Sequence, residues 1–70
     1  MRRYIYYTLT DDYIDIFEDD FMVGFYSRST KSPHHWQWHL VANNTISINK
    51  YLVEDDATEL TEAEVVEMLL

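Results

Sequence analysis

Runs of aromatic and β-branched residues recur along this chain, and in Trp36 to Ala42 apolar and polar residues alternate; both patterns are typical of β-strands. Arg2 to Leu9 is dense in aromatic and β-branched side chains, which favour strands. These residue types therefore predict a first strand, with Tyr4 and Tyr6 on one face and Ile5 and Tyr7 on the other.

Residues 11–20 fit two kinds of element. As a strand, Tyr13 to Phe17 would lie between two acidic turns. As a helix, Thr10 would cap the segment, and Ile14, Phe17 and Phe21 would share one face. We favour the strand, because isoleucine and aromatic residues dominate the segment and acidic clusters typical of turns flank it.

Phe21 to Ser27 predicts a further strand. Strict alternation would place Phe21, Val23 and Phe25 on one face and Met22 and Tyr26 on the other. Gly24 is the only glycine of the chain, and a glycine inside a strand indicates a bulge or a close approach to the backbone.

The next predicted elements are a loop and a hairpin. Residues 28–35 are polar and contain the only proline, so they predict the loop. From Trp36 to Ala42 the alternation resumes, with Trp36, Trp38, Leu40 and Ala42 on one face and Gln37, His39 and Val41 on the other. Asn43-Asn44-Thr45 predicts a tight turn, since asparagine tolerates positive φ, and Ile46 to Val53 predicts the partner strand.

A short helix is predicted at the C-terminal end of the sequence. Thr61 followed by Glu64 is a capping box, and Leu60 and Val65 stand at the positions of a hydrophobic staple. Together these elements predict an α+β fold: a small antiparallel β-sheet of four to five strands, meander-like, with a short C-terminal α-helix. At 70 residues the chain is expected to be a single domain, residues 1–70.

Charge is strongly segregated along the sequence. The chain has thirteen acidic and five basic residues, for a net charge of −8. Six of the acids fall in residues 11–20 and seven in residues 54–67, whereas residues 21–53 contain none. Such segregation bears on partners more than on fold.

The acidic blocks allow two main interpretations. One is solubility, because small domains commonly carry a net charge of this size. The other is mimicry of nucleic acid, because carboxylates repeated along a strand or helix are spaced like phosphates and would suit a basic groove. The mimicry hypothesis assigns partner contacts to Asp11, Asp12, Asp15, Glu18, Asp19, Asp20, Glu54, Asp55, Asp56, Glu59 and Glu62.

Metal, cofactor and catalytic functions find little support. The first acidic block lacks the glycine of a calcium loop. His35 and His39 would share a zinc ion only on a helix, and on the favoured strand they stand about 13 Å apart. The sequence contains no phosphate-binding glycine loop, cysteine nucleophile or serine elbow. We therefore predict no metal, no cofactor and no enzyme activity.

Direct binding to nucleic acid or membrane is not expected. Arg28, Lys31, His34 and His35 precede Trp36 and Trp38 in a basic and aromatic stretch, but the net charge would repel phosphates. No apolar run approaches the ~20 residues of a membrane span, and no signal peptide is recognised. The absence of cysteine fits a reducing compartment, so a cytoplasmic location is expected.

The leading hypothesis is a small inhibitor that blocks the nucleic-acid-binding site of a larger protein. In size and composition alone, the chain resembles small acidic counter-defence proteins of phages and mobile elements, which would act in the host cytoplasm. The alternative is a non-catalytic, homo-oligomeric structural or regulatory module, such as a homodimer. Its apolar centre would draw on Tyr4, Tyr6, Tyr7, Phe25, Tyr26, Trp36 and Met68-Leu69-Leu70.

Overall fold

The computed structural model describes residues 1–31, 35–41 and 57–70. Over these residues the chain forms an antiparallel sheet of five strands in the order β4-β3-β2-β1-β5, followed by one helix. The elements are β1 (Arg2–Thr8), β2 (Asp11–Glu18), β3 (Phe21–Ser29), β4 (Gln37–Leu40), β5 (Thr58–Leu60) and α1 (Glu62–Leu69). The predicted α+β fold is confirmed.

The strand interpretation of residues 11–20 is also confirmed. β2 is the middle strand of the sheet; it pairs with β3 along its whole length and with β1 from Asp12 to Glu18. It is longer than predicted, so Asp11 and Asp12 belong to the strand and not to a turn. β3 likewise continues to Ser29, and Arg28 lies in that strand although it was predicted to begin a loop.

A bulge changes the predicted faces of β3. The register shifts so that Gly24 stands opposite Ile16 while Met22 stands opposite Phe17, which leaves Val23 as the extra residue. One extra residue reverses the alternation beyond it. Phe25 therefore shares a face with Met22, and the predicted grouping of Phe25 with Phe21 and Val23 is wrong.

Both faces of the sheet carry a core. On the helix face, which α1 covers in part, Tyr4, Ile14 and Ile16 are buried with Val65 of the helix. On the opposite face, Ile5, Phe17 and Met22 are buried, with Val41 and Ala57 packed against them. The predicted separation of Tyr4 and Tyr6 from Ile5 and Tyr7 is confirmed.

The helix begins where its capping signals predict. The Glu64 amide donates to the Thr61 hydroxyl at 3.2 Å, and the Thr61 amide donates to the Glu64 carboxylate at 2.9 Å. Leu60 and Val65 belong to the same core cluster, as expected of a staple. At the other end of α1, the Trp36 indole N–H donates to the Met68 carbonyl at 3.0 Å, which fixes the helix to the sheet.

The chain between β4 and α1 differs from the prediction where the structure describes it. Thr58–Leu60 forms β5 beside β1, a strand that the sequence pattern does not predict. A strand of three residues is too short for a period of two to identify. The predicted turn at Asn43-Asn44-Thr45 and the partner strand from Ile46 to Val53 lie outside the described residues.

Gly24 has no positive φ, so its backbone conformation does not require a glycine. The requirement is instead steric. A Cβ at this position would overlap the Trp38 indole and lie 2.8 Å from the His39 carbonyl oxygen. We therefore expect Gly24→Ala to lower the free energy of unfolding by about 1–3 kcal/mol, as overpacking usually does. Urea denaturation measures this change. Adding Trp38→Leu should restore part of the loss, and parental stability in the single variant would contradict the steric requirement.

Candidate functional site

The structure divides the first acidic block into buried and exposed carboxylates. Asp12 and Asp15 are 8% and 1% exposed, respectively. Glu18, Asp19 and Asp20 are exposed at the end of β2 and in the turn that follows it. Asp11 is partly exposed and stands at the opposite end of β2, about 24 Å from Glu18 at the usual rise per strand residue. The block is therefore not one continuous acidic row.

Asp12 holds a structural network together on the helix face. Its carboxylate accepts hydrogen bonds from the Thr8 hydroxyl at 2.9 Å and the Tyr6 hydroxyl at 3.4 Å. It also pairs with the Arg28 guanidinium at 3.3 Å. The guanidinium carbon of Arg28 lies 4.4 Å from the centre of the Trp36 ring, and Trp36 bonds the end of α1. Asp12 thus supports the attachment of the helix and is not available to a partner.

Asp15 lies within the core of the opposite face. Its cross-strand neighbours are Ile5 in β1 and Phe25 in β3, and it accepts a hydrogen bond from the Tyr7 hydroxyl at 3.4 Å. A carboxylate in this position cannot reach a binding partner without unfolding the sheet around it. We therefore leave Asp12 and Asp15 out of any proposed contact surface.

The turn between β2 and β3 presents the exposed carboxylates of the first block. Asp19 adopts a left-handed conformation with φ of 57°, which aspartate tolerates better than most residues. Its carboxylate accepts a hydrogen bond from the Met1 amino group at 3.0 Å, and this bond raises the pKa of that amino group. Arg2 bonds Glu18 at 3.0 Å. The first residues of the chain thus partly neutralise the turn, and Asp20, which belongs to neither pair, interacts electrostatically with Arg3.

Part of the second acidic block is brought to the same end of the sheet. β5 runs antiparallel to β1, with Leu60 opposite Tyr4, so the chain leaves β5 towards Arg2. α1 begins there at Glu62, and Arg2 is itself paired with Glu18. We call Glu18, Asp19, Asp20, Glu59 and Glu62 the acidic end. Glu54, Asp55 and Asp56 lie outside the described residues.

Glu59 is tied to the sheet by a bidentate ion pair. The Arg3 guanidinium donates to its two carboxylate oxygens at 2.8 and 2.6 Å. These hydrogen bonds hold the pKa of Glu59 below its usual value. The pair joins β1 to β5 and neutralises part of the acidic end.

The Arg3–Glu59 pair predicts a stability change in acid. Because the folded-state pKa is lowered, the contribution is present above the unfolded pKa, near 4.5, and is lost as pH falls through the folded value. We expect at most about 1 kcal/mol, since both side chains are partly exposed. Thermal unfolding at several pH values should show a smaller acid loss in Glu59→Gln. Equal acid losses in the variant and its parent would contradict the pair's role.

Two of the three histidines lie within the described residues. There, no group of three metal-ligating side chains lies together. His39 belongs to β4, where its Nε2 is 3.0 Å from the Ser27 hydroxyl and its ring stacks on Phe25. His35 precedes that strand, and His34 lies outside the described residues.

No helix in the described part of the chain is long and apolar enough to cross a membrane.

Several large apolar side chains are exposed, but they are not those expected from the sequence. Tyr4 is buried, and Tyr6, Tyr7, Phe25, Tyr26 and Trp36 pack against the two cores, as do Met68 and Leu69. Of that predicted set only Leu70 is fully exposed. Instead, Phe21, Trp38 and Leu40 are 44%, 45% and 77% exposed. The short edge strand and the bulge place them there, and neither feature is encoded by hydrophobicity alone.

Comparisons with models of protein families, with curated proteins and with solved structures found no match to this chain.

Proposed function

We propose that this protein is a small, non-catalytic inhibitor that binds the basic, nucleic-acid-binding surface of a larger protein through its acidic end. The supporting observation is that carboxylates from two distant parts of the sequence lie at the same end of the sheet, where Arg3 bonds Glu59 and interacts electrostatically with Asp20. Opposed charge of this kind steers association and sets specificity. In this proposal the protein acts in the cytoplasm, that of the host cell if a phage or mobile element encodes it.

The proposal limits the contact surface to exposed residues. Asp20 and Glu62 are the strongest candidates, because no cation forms a hydrogen bond or salt bridge with their side chains among the described residues. Arg3 interacts with Asp20 only through longer-range electrostatics. Glu18, Asp19 and Glu59 already pair with cations of β1 or with the Met1 amino group, so they contribute less net charge. Asp11 lies at the opposite end of β2, and Glu67 lies in the second half of α1, about 7.5 Å along the helix axis from Glu62.

Competition with DNA tests this function. The immobilised protein is incubated with host lysate at low salt, and bound proteins are eluted with excess duplex DNA. We expect DNA to release a nucleic-acid-handling protein that the Asp20→Lys/Glu62→Lys variant fails to capture. The matched control is Asp11→Lys/Glu67→Lys, which has the same net charge but keeps the acidic end. Equal capture by the two variants, or capture that DNA leaves unchanged, would contradict the proposal.

The exposed side chains of Phe21, Trp38 and Leu40 favour a second candidate, a homo-oligomeric interaction module. An apolar dimer tightens as salt rises, whereas a dimer held by charge loosens. Sedimentation at low and high salt distinguishes these cases from a monomer. A monomer at every salt and protein concentration would exclude the module and leave the inhibitor as the sole proposal.

A further inference from the structure

One corner of the helix face carries apolar side chains that the helix leaves exposed. Leu40 stands opposite Gly24, and the Trp38 indole lies over that glycine. Phe21 and Val23 precede Gly24 on the same face, since Phe21 pairs with Glu18 and the bulge turns Val23 towards the helix-face core. We call these four residues, Phe21, Val23, Trp38 and Leu40, the β3–β4 corner.

The position of α1 explains why this corner is exposed. The helix begins beyond β5, packs Val65 against Tyr4 and Ile14, and ends at Trp36 through the bond to Met68. It therefore crosses the face from β5 towards the far end of β4. The part of the face beside the β2–β3 turn lies away from this path, and Leu40 retains 77% of its exposure there.

Acidic residues border the corner on one side. A shallow cleft of about 370 Å³ is lined by Phe21 and Val23 and by the carboxylates of Glu18, Asp19 and Asp20. Glu18 and Asp19 already pair with Arg2 and the Met1 amino group, so Asp20 carries most of the remaining negative charge. An apolar floor beside an anionic rim is complementary to a segment with apolar side chains on one face and cations along its border. Amphipathic segments bind apolar grooves in this way.

We propose that the β3–β4 corner docks a basic amphipathic segment of the protein's partner. Apolar side chains of that segment would cover Trp38 and Leu40, and its lysines or arginines would meet Asp20 and its neighbours. This inference rests on the proposed function and deepens it, because it adds an apolar anchor to a contact otherwise made by charge. Burial of aromatic and aliphatic anchors commonly dominates binding energy.

Charge favours a basic partner over a second copy of this chain. A two-fold dimer uses the same patch on both subunits, so a dimer through this corner would bring two acidic turns together. Like charges that face each other across an interface oppose association. A basic segment removes that repulsion and gains attraction from the same residues.

Two synthetic peptides of equal length and charge serve as probes, one of lysine and leucine in an amphipathic pattern and one of lysine and serine. Their affinities are measured by fluorescence anisotropy for the parent, Leu40→Ser and Leu9→Ser. Leu9 is a matched control because it is a leucine exposed to a similar degree in the β1–β2 turn. We expect Leu40→Ser to weaken the affinity for the lysine–leucine peptide by about tenfold, because apolar burial is lost. Leu9→Ser should change that affinity by less than about twofold.

The outcomes separate this inference from the function on which it rests. If both peptides bind equally, and Leu40→Ser behaves like the parent, the corner is not an anchor while the acidic contact stands. If neither peptide binds at low salt, both proposals fail. If Leu40→Ser instead converts a dimer to a monomer in sedimentation and leaves peptide affinity unchanged, the corner is a surface for self-association and the inference is overturned.

Discussion

Asp15→Lys should unfold this protein, whereas Asp20→Lys should leave it folded. Asp15 is 1% exposed between Ile5 and Phe25, so a lysine there would place an ammonium group in an apolar core. Burying an unpaired charge costs several kcal/mol, and a domain of this size has a total stability of about 4–10 kcal/mol. Asp20 lies exposed in a turn, where substitutions usually change stability by about 0.5 kcal/mol or less.

Circular dichroism and urea denaturation of the two variants measure this difference. The variants have identical composition and identical net charge, so each controls for the general effect of added positive charge. A folded Asp15→Lys with parental stability would show that the carboxylate is not confined to the core. Loss of structure in Asp20→Lys would mean that the turn contributes more to stability than its exposure indicates.

This contrast bears directly on tests of the proposed function. A charge-reversal series chosen from the sequence would include Asp12 and Asp15, and loss of inhibition in those variants would reflect loss of folding. Removing Asp12 would also deprive Arg28 of its partner beside Trp36. Variants at Asp20 and Glu62, the members of the acidic end without an ion pair, separate binding from stability.

The sequence was sufficient to predict whether most elements are strands or helices. Aromatic and β-branched content identified β1 and β3 and favoured a strand over a helix at β2, alternation identified β4, and the Thr61–Glu64 capping box fixed the start of the helix. Periodicity did not locate the bulge, because Val23 is compatible with either face until Gly24 pairs with Ile16. The single glycine was the available signal, and the close approach of Trp38 explains its presence.

The candidate site was harder to predict, because it depends on strand register. The two acidic blocks were evident in the sequence, but their fates follow from pairing across the sheet. A turn at Leu9-Thr10 sets Arg2 opposite Glu18 and Asp15 opposite Ile5. With the turn predicted at Asp11-Asp12, neither of these two pairings could be derived from the sequence. Because side chains alternate between the two faces of a strand, Asp15 lies in the core of the opposite face and Asp12 in a polar network on the helix face.

Phe17→Ala should destabilise the protein strongly, whereas Phe21→Ala should mainly weaken partner binding. Phe17 is fully buried with Ile5 and Met22, and truncating a buried phenylalanine typically costs about 3–5 kcal/mol. Phe21 is 44% exposed at the β3–β4 corner, so less packing is lost there and we expect about 1 kcal/mol or less. Urea denaturation measures both changes.

Peptide binding adds a second measurement to this pair of variants. Phe21→Ala should weaken the affinity for the lysine–leucine peptide several-fold, because the ring belongs to the proposed docking surface and not to a core. The folded fraction of the variant should stay close to that of the parent. The two variants have the same composition, so any difference arises from position alone. Similar losses of stability in both would place Phe21 in the structural core and remove it from the docking surface. Parental stability in both would contradict the core assignment of Phe17.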